Sequence, residues 1–422
     1  MRPFSAAGGG CRAAPGREDR GHDRRVERPG AAPAGDPLKT NLRVILAFTL
    51  VHFTGDFYSA FTTPLFPLFV EKLGLSLTQV GVVAGLNRFL AFIVQPSVGY
   101  LADRYPTRAF TMVGLLLVVV FIPLTGLATG FWTLLLLISV GSIGSSMFHP
   151  AVTGMVPVYA GRKAGLSMSI FNTGGTLAFG VGPLFVTWYA ARFGLGALPA
   201  TMVLGLTVAV YLYLALPSPP GEGLAPNGFW GTIKESLGPA WKPVALIWLV
   251  MVLRAVVGQS FMTFMPVLFV QEGYSLVSAG TLFSLFTVAG TISGLMAGAI
   301  SDRIGFKPVF FVTHGLMTPV LLLFLNLSGI WVYAGAALAG GMVLATLPLG
   351  VVMAQTLAPR GRSMVGSLMM GFAFGLGGIV APLVGSLADA FSVRTVLGWI
   401  SLVPLLTLFL IARFPTLRGG TS

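Results

Sequence analysis

Gly99-Tyr100-Leu101-Ala102-Asp103-Arg104-Tyr105-Pro106-Thr107-Arg108 is a charged turn between two long apolar runs, and the chain contains it twice. The second copy is Gly298-Ala299-Ile300-Ser301-Asp302-Arg303-Ile304-Gly305-Phe306-Lys307. Gly99 and Gly298, Asp103 and Asp302, and Arg108 and Lys307 each lie 199 positions apart. The same offset pairs Pro67 with Pro266, Gly81 with Gly280 and Pro183 with Pro382. One unit has therefore been used twice. Because that unit is mostly apolar, the repeat predicts a membrane protein of two homologous halves.

Composition leads to the same class. Only 9% of the 422 residues are charged while 55% are hydrophobic, and the mean hydropathy is +0.86, which leaves too little charge to cover a soluble fold of this length. The formal charge of +13 raises the question of a nucleic-acid partner. The basic residues, however, sit in short loops and an arginine-rich tail rather than on one face, which argues against it. Cys11 is the one cysteine, so no intrachain disulfide forms and no metal-ligand spacing arises. Residues 1–40 are rich in Arg, Gly, Pro and Ala, with no apolar run, and are expected to be a disordered basic tail. Arg24-Arg25 lacks the following apolar region of a twin-arginine signal.

Each bilayer crossing needs about 20 residues at a rise of about 1.5 Å. Twelve segments qualify, near 43–69, 77–101, 109–128, 131–158, 163–190, 196–216, 242–270, 276–300, 308–327, 329–357, 362–388 and 395–413. The fold class expected is an all-α integral membrane protein of twelve helices in two pseudo-symmetric six-helix bundles, 41–216 and 242–414. A Pro/Gly-rich linker, 217–241, joins them, and 415–422 is a short tail. Counting Lys and Arg in alternate loops sets the orientation. One side holds twelve, including Arg104, Arg108, Arg303 and Lys307, before the tail is counted, and the other holds Lys72, Arg192 and Arg394. Both termini and the linker are thus expected in the cytoplasm, a result that requires an even number of spans.

Five ionisable residues lie well inside the spans: His52, Asp56, Arg88, His149 and Arg254, with His314 nearer an end. A charge at bilayer depth costs about 2.5–3.5 kcal/mol even on the mildest scale, so such groups pair or face water. Asp56, Arg88 and Arg254 are each near mid-span, and the repeat offset sets Arg254 opposite Gly55, beside Asp56. Their convergence on one central cavity is expected. Arg88 then has two readings: it neutralises Asp56 between adjacent spans, or it holds an anion. His52 and Asp56 are four residues apart and share a helix face with Ser59 and Thr63. Pro150 is expected to break the helix beside His149 and free a carbonyl toward a cavity. His314 reads as a satisfied hydrogen-bonding residue, and Phe261, Met262, Phe264 and Met265 as packing. Gly174, Gly175, Gly180 and Gly182 in the fifth span, with Gly371, Gly375, Gly377 and Gly378 in the eleventh, allow close helix approach.

Six plus six spans with G-x-L-x-D-R-x-x-x-R after the second and a degenerate copy after the eighth resemble the major facilitator superfamily, over residues 41–415. Within it, His52-Phe53 with Asp56, Phe148-His149-Pro150 and Gly182-Pro183 resemble the fosmidomycin-resistance-type exporters. Val186 and Thr187 depart from the trailing glycines of the antiporter motif at Gly182-Pro183, which leaves the antiport direction open. The resemblance implies alternating access around a central cavity, usually driven by the proton gradient. It implies a latch of the outward-facing state in the repeated loop, here Gly99, Asp103, Arg104 and Arg108 with Gly298, Asp302, Arg303 and Lys307.

The expected function is proton-coupled efflux of a small drug-like or anionic compound, with Asp56 and His52 in proton coupling and Arg88, His149, Arg254 and Asn172 in the substrate cavity. Proton-linked uptake of an organic anion is the alternative, and a non-transporting sensor a more distant one. Neither a nucleophile with its base nor a Walker loop is present, so an enzyme is not expected. The partners expected are a small-molecule substrate, protons and the lipid bilayer of the inner membrane. No cofactor or metal is expected, and the chain is expected to be a monomer.

Overall fold

In hydrocarbon each backbone N–H and C=O must be satisfied within its own segment, which turns long apolar runs into helices. A computed structural model describes residues 40–102, 107–217, 238–358, 365 and 368–415. Among them, eleven helices are long and apolar enough to cross a bilayer. Spans 1 to 6 are Leu42–Leu73, Leu77–Val98, Arg108–Leu127, Phe131–Lys163, Gly165–Phe193 and Leu195–Ala215. Spans 7 to 10 are Gly238–Gln271, Leu276–Ile304, Phe306–Asn326 and Trp331–Leu357, and span 12 is Val393–Ile411. Span 11 contains the shorter apolar helix Gly375–Ala390, preceded by a π-helical turn at Leu368–Phe372. The protein is thus an all-α membrane protein of twelve helices. The N-terminal tail, most of the linker, Asp103 and Arg104 lie outside the described residues.

Proline acts differently at different positions. Contrary to expectation, Pro150 does not break its helix: Phe131–Ala160 runs through both Pro150 and Pro157. The loss of one backbone donor is tolerated there because adjacent helices hold the segment on several sides. Span 1 does change geometry, passing from Leu42–Ser59 through a 3₁₀ turn at Thr63–Leu65 into Phe66–Leu73. Span 11 breaks at Val380, ahead of Pro382.

The repeat is visible in the packing. Gly81 of span 2 lies against the Ala381 carbonyl and Pro382 of span 11, and Gly280 of span 8 lies against the Pro183 carbonyl and Thr187 of span 5. The glycine of each repeat therefore meets the proline of the other, as a two-fold relation between halves demands. A side chain at Gly81 would run into backbone, and one at Gly280 into the Thr187 side chain. Thr287 of span 8 adds a hydrogen bond to the Phe179 carbonyl at 3.3 Å. At the tip of the interface Asp389 accepts from Leu77 N at 2.8 Å, and from Thr78 N at 2.8 Å and Thr78 Oγ1 at 2.6 Å. The Gly81, Gly280 and Asp389 contacts lie toward the ends that carry Lys72, Arg192 and Arg394. Thr287 meets Phe179 near mid-span, and spans 2 and 11 stay in contact as far as Phe92 and Phe372, whose rings are 4.3 Å apart. The halves are clamped on the side away from the basic loops.

The terminal basic residues of the repeated loop bind within their own halves. Arg108 donates to the Tyr213 carbonyl and stacks its guanidinium 4.5 Å from the Tyr213 ring. Lys307 donates to the Ala412 carbonyl at 2.6 Å. Tyr213 and Ala412 are themselves 199 positions apart. Each basic group thus fastens the carboxyl end of the last span of its half, where carbonyls lack helical partners and the dipole favours a cation. Asp302 and Arg303 are exposed, and neither has an ion-pair partner among the described residues.

Candidate functional site

His52 and Asp56 are one turn apart on span 1, which brings them to one face. Span 4 crosses beside them and adds His149. His52 Nε2 lies 3.2 Å from Asp56 Oδ2, and His149 Nε2 lies 3.1 Å from Asp56 Oδ1. Each carboxylate oxygen therefore has its own imidazole. The other ring nitrogens are anchored to backbone: His52 Nδ1 donates to the Phe171 carbonyl at 3.0 Å, and His149 Nδ1 donates to the Ser145 carbonyl at 2.7 Å. Phe171 stacks on His52 at 4.3 Å and Phe148 stacks on His149 at 4.2 Å. The rings are thus fixed in both tilt and tautomer.

Span 5 closes the site from behind, and here glycine has a specific reason. A Cβ on Gly175 would stand 2.6 Å from His52 Nε2 and 2.8 Å from Asp56 Oδ2. Any larger residue would displace the cluster. Exposure separates its members: the side chains of His52 and Asp56 are 11% and 6% exposed, whereas His149 is 29% exposed. His149 is the exposed end. Among the described residues these three are also the one group of His, Cys, Asp and Glu close enough, with ligand atoms within 4.8 Å, to share a cation.

The expected convergence of Asp56, Arg88 and Arg254 is not found. Asp56 is occupied by the two histidines, and no ion pair joins it to Arg88 or Arg254 among the described residues. Arg254 turns into the second half, where it is buried and donates to the Val343 carbonyl of span 10 at 2.9 Å. His314 lies in the same half between Thr407 Oγ1 at 2.7 Å and Thr346 Oγ1 at 3.2 Å. Arg88 lines a small cavity among spans 1, 2 and 7 with Thr62, Asn87, Gln259 and Thr263. Asn172 is exposed, next to Phe171 on span 5. The buried polar groups thus form three separate centres rather than one.

Asp389 is the residue that the sequence reading missed. It closes the first turn of span 2 from span 11, and its signal was an acid at a span end with a threonine at the start of another.

Twelve helices in two related halves, an acid–histidine cluster inside one and a polar pocket between them, define a polytopic membrane carrier. The chain belongs to the Major Facilitator Superfamily, whose model matches residues 48–382. It is 26% identical over 400 residues to the fosmidomycin resistance protein of Escherichia coli (strain K12), covering 90% of this chain and 96% of that one. It is 26% identical over 306 residues to the multidrug resistance protein MdtG of Citrobacter koseri, covering 69% of this chain and 74% of that one. Among solved structures, a bacterial homolog of the human lysosomal transporter Spinster, inward-facing and occupied, superposes with a TM-score of 0.75 at 17% identity, covering 92% and 98% of the two chains. The nucleoside transporter NupG gives 0.69 at 15% identity, covering 88% and 98%. The protein is accordingly a multi-pass membrane transporter and not an enzyme.

Proposed function

We propose that this transporter exports a small drug-like or anionic compound in exchange for protons, as a monomer in the inner membrane with both termini cytoplasmic. The observation that carries the reading is the Asp56 carboxylate held between two imidazoles. Both Nδ1 atoms face carbonyls, which only accept, so each ring carries a hydrogen there. A neutral ring would then aim its Nε2 lone pair at a carboxylate oxygen, and the two would repel. A proton in each contact converts that repulsion into a charge-assisted hydrogen bond. The geometry therefore favours a proton-loaded cluster.

Loading and unloading follow from access. With the basic loops in the cytoplasm, the clamp through Gly81, Gly280 and Asp389 closes the external side, and the state described is inward-facing. His149, the most exposed member, is then the exit for protons to the cytoplasm. Rocking the halves exposes the cluster to the opposite side for reloading, which is alternating access around a central site. The exposed pair Asp302 and Arg303, with Gly298, and the first copy through Gly99, Asp103 and Arg104, are assigned to latching the cytoplasmic face once the halves close there. The resistance named for the two relatives supports the export direction.

A pump-deficient host expressing the protein tests this reading directly. Raised tolerance to phosphonates or to other drugs supports export. Increased sensitivity would overturn export in favour of proton-linked uptake of an organic anion.

A further inference from the structure

The cavity at Arg88 is built by both halves. Thr62 and Arg88, with Asn87, come from spans 1 and 2, whereas Gln259 and Thr263 come from span 7. Thr62, Gln259 and Thr263 are each at least nine-tenths buried, and Thr62 Oγ1 has no hydrogen-bond partner among the described residues. Arg88 has no carboxylate within ion-pair distance among the described residues. Its stem lies flat against Gly378 of span 11, a position where a side chain would displace it. A guanidinium is therefore held at bilayer depth beside hydroxyls and amides, with its charge uncompensated. That is costly for folding alone. The cost becomes intelligible when the missing charge arrives with a ligand.

We propose that this pocket is an oxyanion site, taking a carboxylate, phosphonate or phosphate oxygen of the transported compound. The guanidinium offers a charge-assisted hydrogen bond to an oxyanion oxygen, while the Asn87 and Gln259 amides and the threonine hydroxyls supply further donors. The cavity offers about 20 Å³, room for one water-sized group. One ligand oxygen enters and the rest of the molecule lies outside the pocket. Thr62 is six residues beyond Asp56 and past the end of the helix Leu42–Ser59, and Asp56 makes no ion pair with Arg88 among the described residues, so anion and proton occupy separate sites. Because the donors come from both halves, the anion is bound best at one relative position of the halves, which ties its binding to the rocking motion.

The proposal rests on the carrier reading but is tested without transport. Purified protein is heated in detergent at constant ionic strength with methylphosphonate, inorganic phosphate or chloride. The oxyanions should raise the Tm saturably over chloride. Arg88→Gln should raise the Tm of the ligand-free protein, since a half-buried charge with no carboxylate beside it is removed, and should abolish the oxyanion response. Gln259→Ala should weaken the apparent Kd at least about tenfold, equivalent to about 1.4 kcal/mol. Asp56→Asn should keep the response, so loss of proton coupling is distinguishable from loss of the anion site. A wild-type protein indifferent to both oxyanions would overturn the proposal. So would Arg88→Gln protein that responds like wild type, or whose ligand-free Tm falls.

Discussion

Asp389→Ala should loosen the external closure without unfolding either half. The carboxylate fills two of the orphan N–H groups at the first turn of span 2 and accepts the Thr78 hydroxyl. Ser76 and Gln79 satisfy each other in the same turn, Ser76 Oγ accepting from Gln79 N at 3.1 Å and Gln79 Oε1 accepting from Ser76 N at 3.0 Å. The helix start therefore survives the substitution. What is lost is a contact between halves that exists only while they touch. Removing a capping side chain typically costs about 1 kcal/mol and reaches about 2, and Asp389 is exposed, which argues for no more. A loss of about 1–2 kcal/mol shifts the equilibrium about 5- to 30-fold toward external opening. The assay places a single cysteine at Thr187, buried against Gly280, in a Cys11→Ser background, and follows labelling by a membrane-impermeant maleimide from outside. The labelling rate should rise by that factor in Asp389→Ala and less in Asp389→Asn, which keeps one acceptor oxygen. An unchanged rate in Asp389→Ala would refute the clamp.

Gly175→Val should overpack the cluster at a cost of about 1–3 kcal/mol, leaving membrane insertion intact but abolishing transport. Wild-type transport by that variant would contradict the placement of span 5. Arg108→Ala and Lys307→Ala should each lower the Tm, by about 1 kcal/mol of stability per lost bond, with no change in external labelling at Thr187. A large labelling change would make these residues part of the gate rather than fasteners of spans 6 and 12. Reporter fusions after Lys72 and Arg192 should read as external and those in the 217–241 linker as cytoplasmic. An external linker would reverse the orientation.

How far the sequence could be read divides along a physical line. The twelve helices were legible because lipid forces every apolar run of sufficient length into one form, and the 199-residue offset at Asp103 and Asp302 exposed the two halves. The pairing of His52 with Asp56 was legible because a helix brings residues four apart together. The approach of His149 was not, because it depends on how spans 1 and 4 rotate about their axes. The polar stripe of span 1 through His52, Asp56, Ser59 and Thr63 does not say which other span it faces, and for the same reason Arg254 was assigned to the wrong half's centre. The contacts of Arg108 and Lys307 in this state were not legible either. Their partners are backbone carbonyls, which have no signature in a sequence. Asp389 and Thr78 are 311 positions apart, and only the two-fold packing of spans 2 and 11 joins them.

The account turns on whether Asp56 carries the driving proton, and gradient-driven transport by Asp56→Asn in proteoliposomes tests this most directly. The amide keeps the size and hydrogen-bonding capacity of the carboxylate but does not titrate. The account predicts a well-inserted protein that still binds the oxyanion probes yet cannot concentrate substrate when a pH gradient is imposed. An Asp56→Asn protein that still accumulates substrate against its gradient would contradict it.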